Sequence, residues 1–302
     1  MKNSIYAGNA QSGKTTKLFN LVDKYIEEGS NLFINDLKGE YLEKYESILE
    51  DNGYNIVKLN LKDINNTIQF NPLLIAYDYY NKGDKVSCDN IIDTIADAFY
   101  KSSNEAIDPF WDNSASNLFK GIVLYLIKQG NKDNINFKGI YNLIDDETII
   151  NNIDKDSTEY LLLSDIYAAP KETKGGIIAV AKQKLSFIVS KEGLNYYYED
   201  LTINMDDIVN KKTAFIYVNY ENTLCFLNNL IIQILMYYIS KSNVEYKFIL
   251  DNFDSVGYIN NFDLIISSTE YNNIDFIIST RNIDLLINKY PYLKNVSNII
   301  SV

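Results

Sequence analysis

The sequence predicts an α/β fold in which a mainly parallel β-sheet is interrupted by an all-α insertion domain. Short apolar runs alternate with helical periods in residues 1–84 and again in residues 205–302. Strands separated by helices in this way form parallel sheets with right-handed crossovers. Residues 85–204 show helical periods alone, so we assign them to the insertion.

Each predicted element follows from its apolar pattern. Strands are expected where apolar runs end at polar or turn residues, at residues 5–7, 31–35, 55–60, 213–219, 246–250, 275–279 and 298–302. Helices are expected between them at residues 16–27, 41–52, 222–240 and 282–289. The insertion is expected to hold helices at residues 86–100 and 108–129, then two or more over residues 137–198 with a break at Gly175-Gly176.

Composition excludes several classes of site. There is no histidine, and Cys88 and Cys225 are the two cysteines, which excludes a Cys/His zinc site, histidine catalysis and a disulfide framework. The net charge of −12 argues against a broadly basic nucleic-acid surface, although it leaves a local lysine patch open. The most apolar stretch, residues 224–239, is shorter than a membrane span and contains three side-chain amides, so we expect a buried helix and a cytoplasmic protein.

The most informative motif is a complete G-x-x-x-x-G-K-[ST] phosphate loop near the start of the chain. In such loops backbone N–H groups and the positive end of the following helix surround the phosphates. Lys14 is expected to reach the β- and γ-phosphates and the Thr15 hydroxyl to bind Mg²⁺. We therefore expect ATP to contact the loop and the start of the helix, at Gly8, Asn9, Ala10, Gln11, Ser12, Gly13, Lys14, Thr15 and Thr16.

A second motif would complete the metal site. The apolar residues 248–250 are followed by Asp251, which a buried strand would direct toward the water shell of Mg²⁺ beside Thr15. Hydrolysing ATPases of this class usually have a glutamate next, whereas this chain has Asn252, whose amide cannot accept a proton. Asp254 either substitutes for that glutamate or is a solvated loop acid. Nucleotide binding is therefore better supported by the sequence than fast hydrolysis.

Other polar residues follow predicted strands at the same edge of the sheet. Arg281, the single arginine, is either a finger that contacts the γ-phosphate, in cis or across a subunit interface, or a surface residue at a helix start. We expect Asp36 to bond the backbone of its turn and Lys38 to lie near phosphate or a neighbouring subunit. Trp111 with Phe110 is predicted to belong to the core and to seal a helix–helix contact. The run Tyr196-Tyr197-Tyr198 is predicted to pack rather than to stack on bases.

Several separated motifs agree in order with one known family. They are the phosphate loop, Asp36-Leu37-Lys38-Gly39-Glu40, Phe70-Asn71-Pro72-Leu73, Asp108-Pro109-Phe110-Trp111 with Ala115 and Gly121, and Leu250-Asp251-Asn252-Phe253 with Gly257. In this order they resemble the type IV secretion coupling proteins, the TraG/TraD-like conjugative ATPases of the HerA–FtsK superfamily of P-loop NTPases. The resemblance covers nearly the whole chain.

The resemblance implies a RecA-like nucleotide-binding domain built from residues 1–84 and 205–302, with the all-α insertion between them. It implies a homo-hexamer at the inner face of the cell membrane that uses ATP to deliver single-stranded DNA and a relaxase to a secretion channel. Lys14, Thr15 and Asp251 carry over as phosphate, metal and Walker B residues. Family members normally have N-terminal membrane helices, and this sequence starts at the first strand; we expect a pared-down coupling ATPase, a divergent member with another cargo, or a decayed copy.

Two functions from different classes stay open at this point. One is a DNA-translocating motor, which the intact phosphate loop and the motif order favour. The other is a nucleotide-gated recruitment module with weak or no hydrolysis, which Asn252, the acidic charge and the lack of a membrane anchor favour. A small-molecule kinase is a third alternative, against which the single Arg281 argues, because kinases clamp phosphates with an arginine-rich lid. A glutamine usually follows the strand after Walker B in the family, where this chain has Ser279-Thr280-Arg281-Asn282.

Overall fold

Seven strands, fourteen α-helices and four short 3-10 helices make up the regular structure of the described residues, 3–101, 109–219, 225–259 and 262–302 of a computed structural model. The strands are β1 (Asn3–Ala7), β2 (Asn31–Asp36), β3 (Asn55–Asn60), β4 (Thr213–Val218), β5 (Tyr246–Leu250), β6 (Ile274–Thr280) and β7 (Ser297–Ser301). The helices are α1 (Lys14–Glu27), α2 (Glu40–Asp51), α3 (Pro72–Asn81), α4 (Lys85–Tyr100), α5 (Phe110–Gln129), α6 (Phe137–Leu143), α7 (Thr158–Ala168), α8 (Lys171–Val189), α9 (Glu192–Tyr197), α10 (Met205–Asn210), α11 (Cys225–Ser240), α12 (Phe262–Ile265), α13 (Ile283–Lys289) and α14 (Leu293–Val296).

The chain divides into two compact units. One comprises Met1–Ile68 with Ile203–Val302 and carries the whole sheet, and the other, Gln69–Thr202, is helical. The sequence placed the first boundary after residue 84, but α3 precedes that point and packs against α4, so it belongs with the helical unit. We missed α3 because its apolar residues run almost continuously and give no clear helical period.

The predicted parallel sheet is confirmed. Its strand order is β3-β4-β2-β5-β6-β1-β7, and every neighbouring pair is parallel. Because parallel strands end at the same edge, the loops after β1, β2, β5 and β6 all emerge there. This topology brings the phosphate loop, the segment after Asp36 and the residues after Leu250 and Thr280 to one edge of the sheet.

The two faces of the sheet bury different side chains. On one face Phe33 contacts Phe248 and Phe215, at ring-centroid distances of 4.7 and 5.8 Å. On the other face α1 and α2 pack their apolar residues against isoleucines of the central strands, including Ile34, which is in register with Ile249. Central strands buried on both faces are mostly apolar, which explains why they were identifiable as short apolar runs.

The helical unit is built around α5, which packs against α4, α7 and α8. An aromatic cluster forms part of its core, with Phe99 contacting Phe119 at 5.9 Å and Phe137 at 5.2 Å. Gly121 allows α7 to approach α5 closely, since a Cβ there would lie 2.6 Å from the side chain of Leu163. Of the tyrosine run, Tyr197 and Tyr198 are buried, as expected, while Tyr196 is exposed.

Two predictions about this unit were wrong. Gly175-Gly176 does not break a helix, because α8 continues through both glycines from Lys171 to Val189. Gly176 instead leaves room for the ring of Trp111, whose Cζ3 lies 2.5 Å from where a Cβ would stand. Trp111 does meet another helix, but it is 37% exposed and Phe110 is 45% exposed, so this pair is not core.

The thiol of Cys88 offers a test of the packing of the helical unit. Cys88 lies on α4 and is 1% exposed, and burial, reinforced by Asp89 and Asp84, raises its pKa to about 12. Because the thiolate is the reactive form, we expect iodoacetamide at pH 8 to leave Cys88 unmodified in the native protein, as read by mass spectrometry of its peptide. Unfolding in guanidinium chloride should expose it to complete modification. Equal rates in the native and unfolded protein would contradict the packing described here.

Candidate functional site

The phosphate loop connects β1 to α1. Gly13 stands before the first residue of α1 with φ 90°, a left-handed conformation that glycine adopts without steric cost. The Lys14 side chain turns back into the loop, where its ammonium donates to the carbonyl of Gly8 and, at 2.7 Å, to that of Asn9. The loop therefore holds the Lys14 ammonium against two of its own backbone carbonyl oxygens.

Asp251 is the centre of a hydrogen-bond cluster at the end of β5. The hydroxyls of Thr15 and Tyr41 each donate to its Oδ2 at 3.1 Å. Its Oδ1 accepts from the hydroxyl of Ser279 and, at 2.9 Å, from the backbone N–H of Asn252. Asp251 is 5% exposed, so these donors take the place of the water molecules that the carboxylate loses on burial. The cluster joins residues from four separate segments of the chain around one carboxylate.

Tyr41 and Ser279 were missed by the sequence reasoning. Tyr41 directly follows the D-x-K-G-E motif, and Ser279 is the next-to-last residue of β6. Burial, reinforced by the neighbouring Asp251, raises the pKa of the Tyr41 phenol, which therefore stays protonated and able to donate. No sequence signal marks either residue, because the contact depends on how α2 and β6 flank β5.

Asp36 binds the turn that leads into α2, as expected. Its carboxylate accepts from the N–H groups of Gly39, Tyr41 and Leu42 at 2.8, 3.0 and 2.9 Å. Burial raises the pKa of Asp36, and these backbone donors oppose that effect by favouring the charged form. Its three bonds fix the first turn of α2 and thereby the position of Tyr41.

Asn252 is held in an unusual backbone conformation. Its φ and ψ are both 52°, in the left-handed region that asparagine tolerates better than most residues. Its N–H also donates to the Ser279 hydroxyl at 2.9 Å, and its carbonyl accepts from Ser255 N–H at 2.9 Å. The identity of this residue therefore has a conformational reason in addition to any role in chemistry.

Asp254 and Arg281 meet on the far side of this loop. Asp254 accepts from the Thr280 hydroxyl and from the Arg281 backbone N–H, both at 2.7 Å. These bonds engage both oxygens of its carboxylate at the end of β6. Arg281 also lines a cleft above the phosphate loop.

A cleft of about 420 Å³ lies above the phosphate loop. It is lined by Ala10, Gln11, Ser12, Gly13, Lys14, Thr15, Thr16, Lys38, Glu40, Asn252 and Arg281. Lys38 and Glu40 face each other across 3.7 Å, and both side chains are about half exposed. The cleft thus brings together predicted residues from four segments: the loop, the segment after β2, the Walker B segment and the end of β6. Asp108 of the predicted D-P-F-W motif lies outside the described residues.

Comparison with known proteins identifies the family. The model for type IV secretory system conjugative DNA transfer matches residues 3–292. The chain belongs to this family. Residues 36–40, 70–73 and 250–253, on which the resemblance was based, lie within the matched range. A comparison with curated protein sequences found no significant match.

Several solved structures have a similar fold. The unbound bacterial conjugative coupling protein TrwB is similar with a TM-score of 0.68 and 13% identity, over 98% of this chain and 65% of that one. TrwB in complex with ADP and Mg²⁺ gives 0.69 and 12%, over 98% and 66%. VirB4 of Thermoanaerobacter pseudethanolicus gives 0.57 and 11%, over 99% and 77%. The shared fold is the RecA-type sheet with its helices, and the chain spans about two thirds of the length of TrwB.

No helix in the described ranges has both the length and the apolar character that crossing a bilayer requires.

Proposed function

We propose that this protein binds ATP with Mg²⁺ and hydrolyses it to drive DNA transfer through a type IV secretion system. The observation that carries the proposal is the approach of the Thr15 hydroxyl to the Asp251 carboxylate, 3.1 Å apart at the start of the phosphate-loop helix. A hydroxyl and an indirect carboxylate are the protein groups that Mg²⁺ uses beside nucleotide phosphates. The bound metal would neutralise charge on the β- and γ-phosphates.

The remaining residues have roles that follow from their positions. Backbone N–H groups of residues 8–16 would hold the phosphates, and Lys14 would exchange its backbone carbonyl partners for phosphate oxygens. Tyr41 and Ser279 would keep Asp251 oriented. Arg281 would contact the γ-phosphate, either in its own subunit or across a subunit interface. The roles of residues 10–16 and Arg281 are supported by their lining of one cleft, and those of Tyr41 and Ser279 by their hydrogen bonds to Asp251. The TrwB complexes with an ATP analogue and with ADP and Mg²⁺ support the nucleotide and the metal.

The proposal extends to partners and location. The protein would form a homo-hexamer at the inner face of the cell membrane. It would act there on single-stranded DNA together with a relaxase and the secretion machinery, a proposal that membership of the conjugative transfer family supports. Movement of the DNA substrate would follow from cycles of ATP binding and hydrolysis in neighbouring subunits.

A second candidate is a nucleotide-gated recruitment module that hydrolyses little ATP. Asn252 is the observation in its favour, because an amide can position water but cannot take a proton from it. Restoring a glutamate here is not a neutral change. With φ at 52°, a glutamate side chain at this position would carry a backbone cost of about 1–2 kcal/mol that asparagine reduces. An Asn252→Asp variant supplies a carboxylate at a lower backbone cost and is the better test.

Turnover measured with and without single-stranded DNA separates the two candidates. The ATPase hypothesis expects Mg²⁺-dependent phosphate release that DNA stimulates and that EDTA abolishes. Tight ATP binding with no phosphate release, and release gained in Asn252→Asp, would favour the recruitment module. If calorimetry detects no binding of ATP with Mg²⁺, both candidates are wrong. Sedimentation with and without nucleotide would show whether the protein assembles into a hexameric ring.

A further inference from the structure

Four carboxylates lie at or near the edge of the sheet where the phosphate loop stands. They are Asp36, Glu40, Asp251 and Asp254, which follow β2 and β5 in the chain. Hydrolysis needs a group that accepts a proton from water, and a carboxylate is the usual one in ATPases of this fold class. Asn252 cannot serve, so these four carboxylates are the candidate substitutes for the missing glutamate.

Three of the four are engaged in structural bonds. Asp36 accepts three backbone N–H groups, and Asp251 accepts three hydroxyls and a backbone N–H. Asp254 uses one oxygen for the Thr280 hydroxyl and the other for a backbone N–H. A carboxylate whose oxygens already accept several hydrogen bonds has to break them before it can take a proton from water. These three residues hold the site together.

Glu40 differs from them in both position and partners. Among the described residues that line the cleft, it is the one with a carboxylate. It forms an ionic contact with Lys38 at 3.7 Å, with both side chains about half exposed, and such surface pairs contribute about 0–1 kcal/mol. The pair is weak enough for Glu40 to exchange its partner for a water molecule.

The backbone connects Glu40 to the cluster around the Walker B carboxylate, and Glu40 lines the same cleft as Thr15. Glu40 is the first residue of α2, and the next residue, Tyr41, reaches Asp251 through its hydroxyl. Asp36 fixes this turn by binding the N–H groups of Gly39, Tyr41 and Leu42. Glu40 therefore lines the open cleft on a hydrogen-bonded turn whose next residue contacts the Walker B carboxylate.

We propose that Glu40 is the general base of this ATPase, in place of the glutamate that Asn252 replaces. The inference rests on the proposed ATPase function. Water oxygen forms a bond to the γ-phosphorus while the bond from that phosphorus to the β–γ bridging oxygen breaks, and its electron pair stays on ADP. The water proton passes to the Glu40 carboxylate, which afterwards releases it to solvent.

A Glu40→Gln variant tests the proposal, with Glu43→Gln as its matched control. Glu43 lies on the same first turn of α2, is exposed and does not line the cleft. We expect Glu40→Gln to lower kcat for ATP by about 10²–10⁴-fold, the usual contribution of a general base. The Kd for ATP, measured by calorimetry, should stay within about twofold, since the base acts on water rather than on nucleotide. Glu43→Gln should leave both constants unchanged, and Glu40→Asp should retain part of the activity.

The outcomes separate this proposal from the one it rests on. If the unaltered protein releases phosphate and Glu40→Gln does so at the same rate, Glu40 is not the base and the ATPase function stands. An equal loss in Glu43→Gln would also overturn the assignment, because it would reflect the charge of the helix and not the position of one carboxylate. If the unaltered protein binds ATP but releases no phosphate, the ATPase function itself fails, and the proposal fails with it.

Discussion

Replacing Lys14 with alanine is expected to lower ATP turnover by about 10²–10³-fold and to weaken ATP binding. The ammonium is the one cationic group that the phosphate loop itself contributes to the cleft, and the described loop already holds it among the backbone carbonyls of Gly8 and Asn9. Losing one preorganised donor to a phosphoryl group costs about this much in rate. Phosphate release and calorimetric binding of ATP with Mg²⁺ are the measurements.

Lys17→Ala is the control for that change. Lys17 lies one turn further along α1, is exposed and does not line the cleft. The Lys17→Ala change removes the same charge from the same helix. Unchanged turnover in this variant would show that the effect of Lys14→Ala comes from the position of Lys14 and not from the net charge. Equal activity in Lys14→Ala and the unaltered protein would contradict the assignment of the cleft as the nucleotide site.

The second large effect is expected on stability. Phe248 is fully buried in β5, and its ring lies 4.7 Å from that of Phe33 and 5.6 Å from that of Phe276. Phe248→Ala removes an aromatic ring from the middle of three neighbouring strands and leaves a cavity in the sheet unit. A loss of about 3–5 kcal/mol in the free energy of unfolding is expected, measured by urea denaturation.

Leu285→Ala is the matched control for the stability measurement. Leu285 is 65% exposed on α13, so truncating it should change the free energy of unfolding by less than about 0.5 kcal/mol. If Phe248→Ala proved as mild as Leu285→Ala, the aromatic layer between β2, β5 and β6 would not be the close-packed core described here. Because Phe248 is three residues from Asp251, ATP binding should be measured in the same variant to follow any effect on the site.

The sheet was predictable because its central strands are buried on both faces. The central strand 246–250 was predicted with the bounds that the structure gives, since its run Phe248-Ile249-Leu250 ends at Asp251; the bounds of the edge strand 55–60 were also predicted. The helical unit was less predictable. Its first helix, Pro72–Asn81, has no clear period, and Gly175-Gly176 is a helix-breaking signal that tertiary packing overrides.

The phosphate loop and Asp251 could be found from local sequence because each needs particular residue types at fixed spacing. The sequence shows that Asn252 stands where a glutamate is usual, but it does not show that the backbone of Asn252 is left-handed. The partners of Asp251 lie 236, 210 and 28 residues away in the chain, at Thr15, Tyr41 and Ser279. No local pattern encodes such contacts, since they exist once parallel strands align their carboxyl ends.

The class of fold, the phosphate loop and the family resemblance follow from local patterns, because backbone geometry and strand burial require particular residue types at fixed spacings along the chain. The tertiary structure decided which carboxylates are occupied and which one faces the cleft. Asp36, Asp251 and Asp254 are bound by donors from other segments, whereas Glu40 has a weak surface pair with Lys38. A carboxylate's availability depends on its three-dimensional neighbours, and the order of residues in the chain does not specify them.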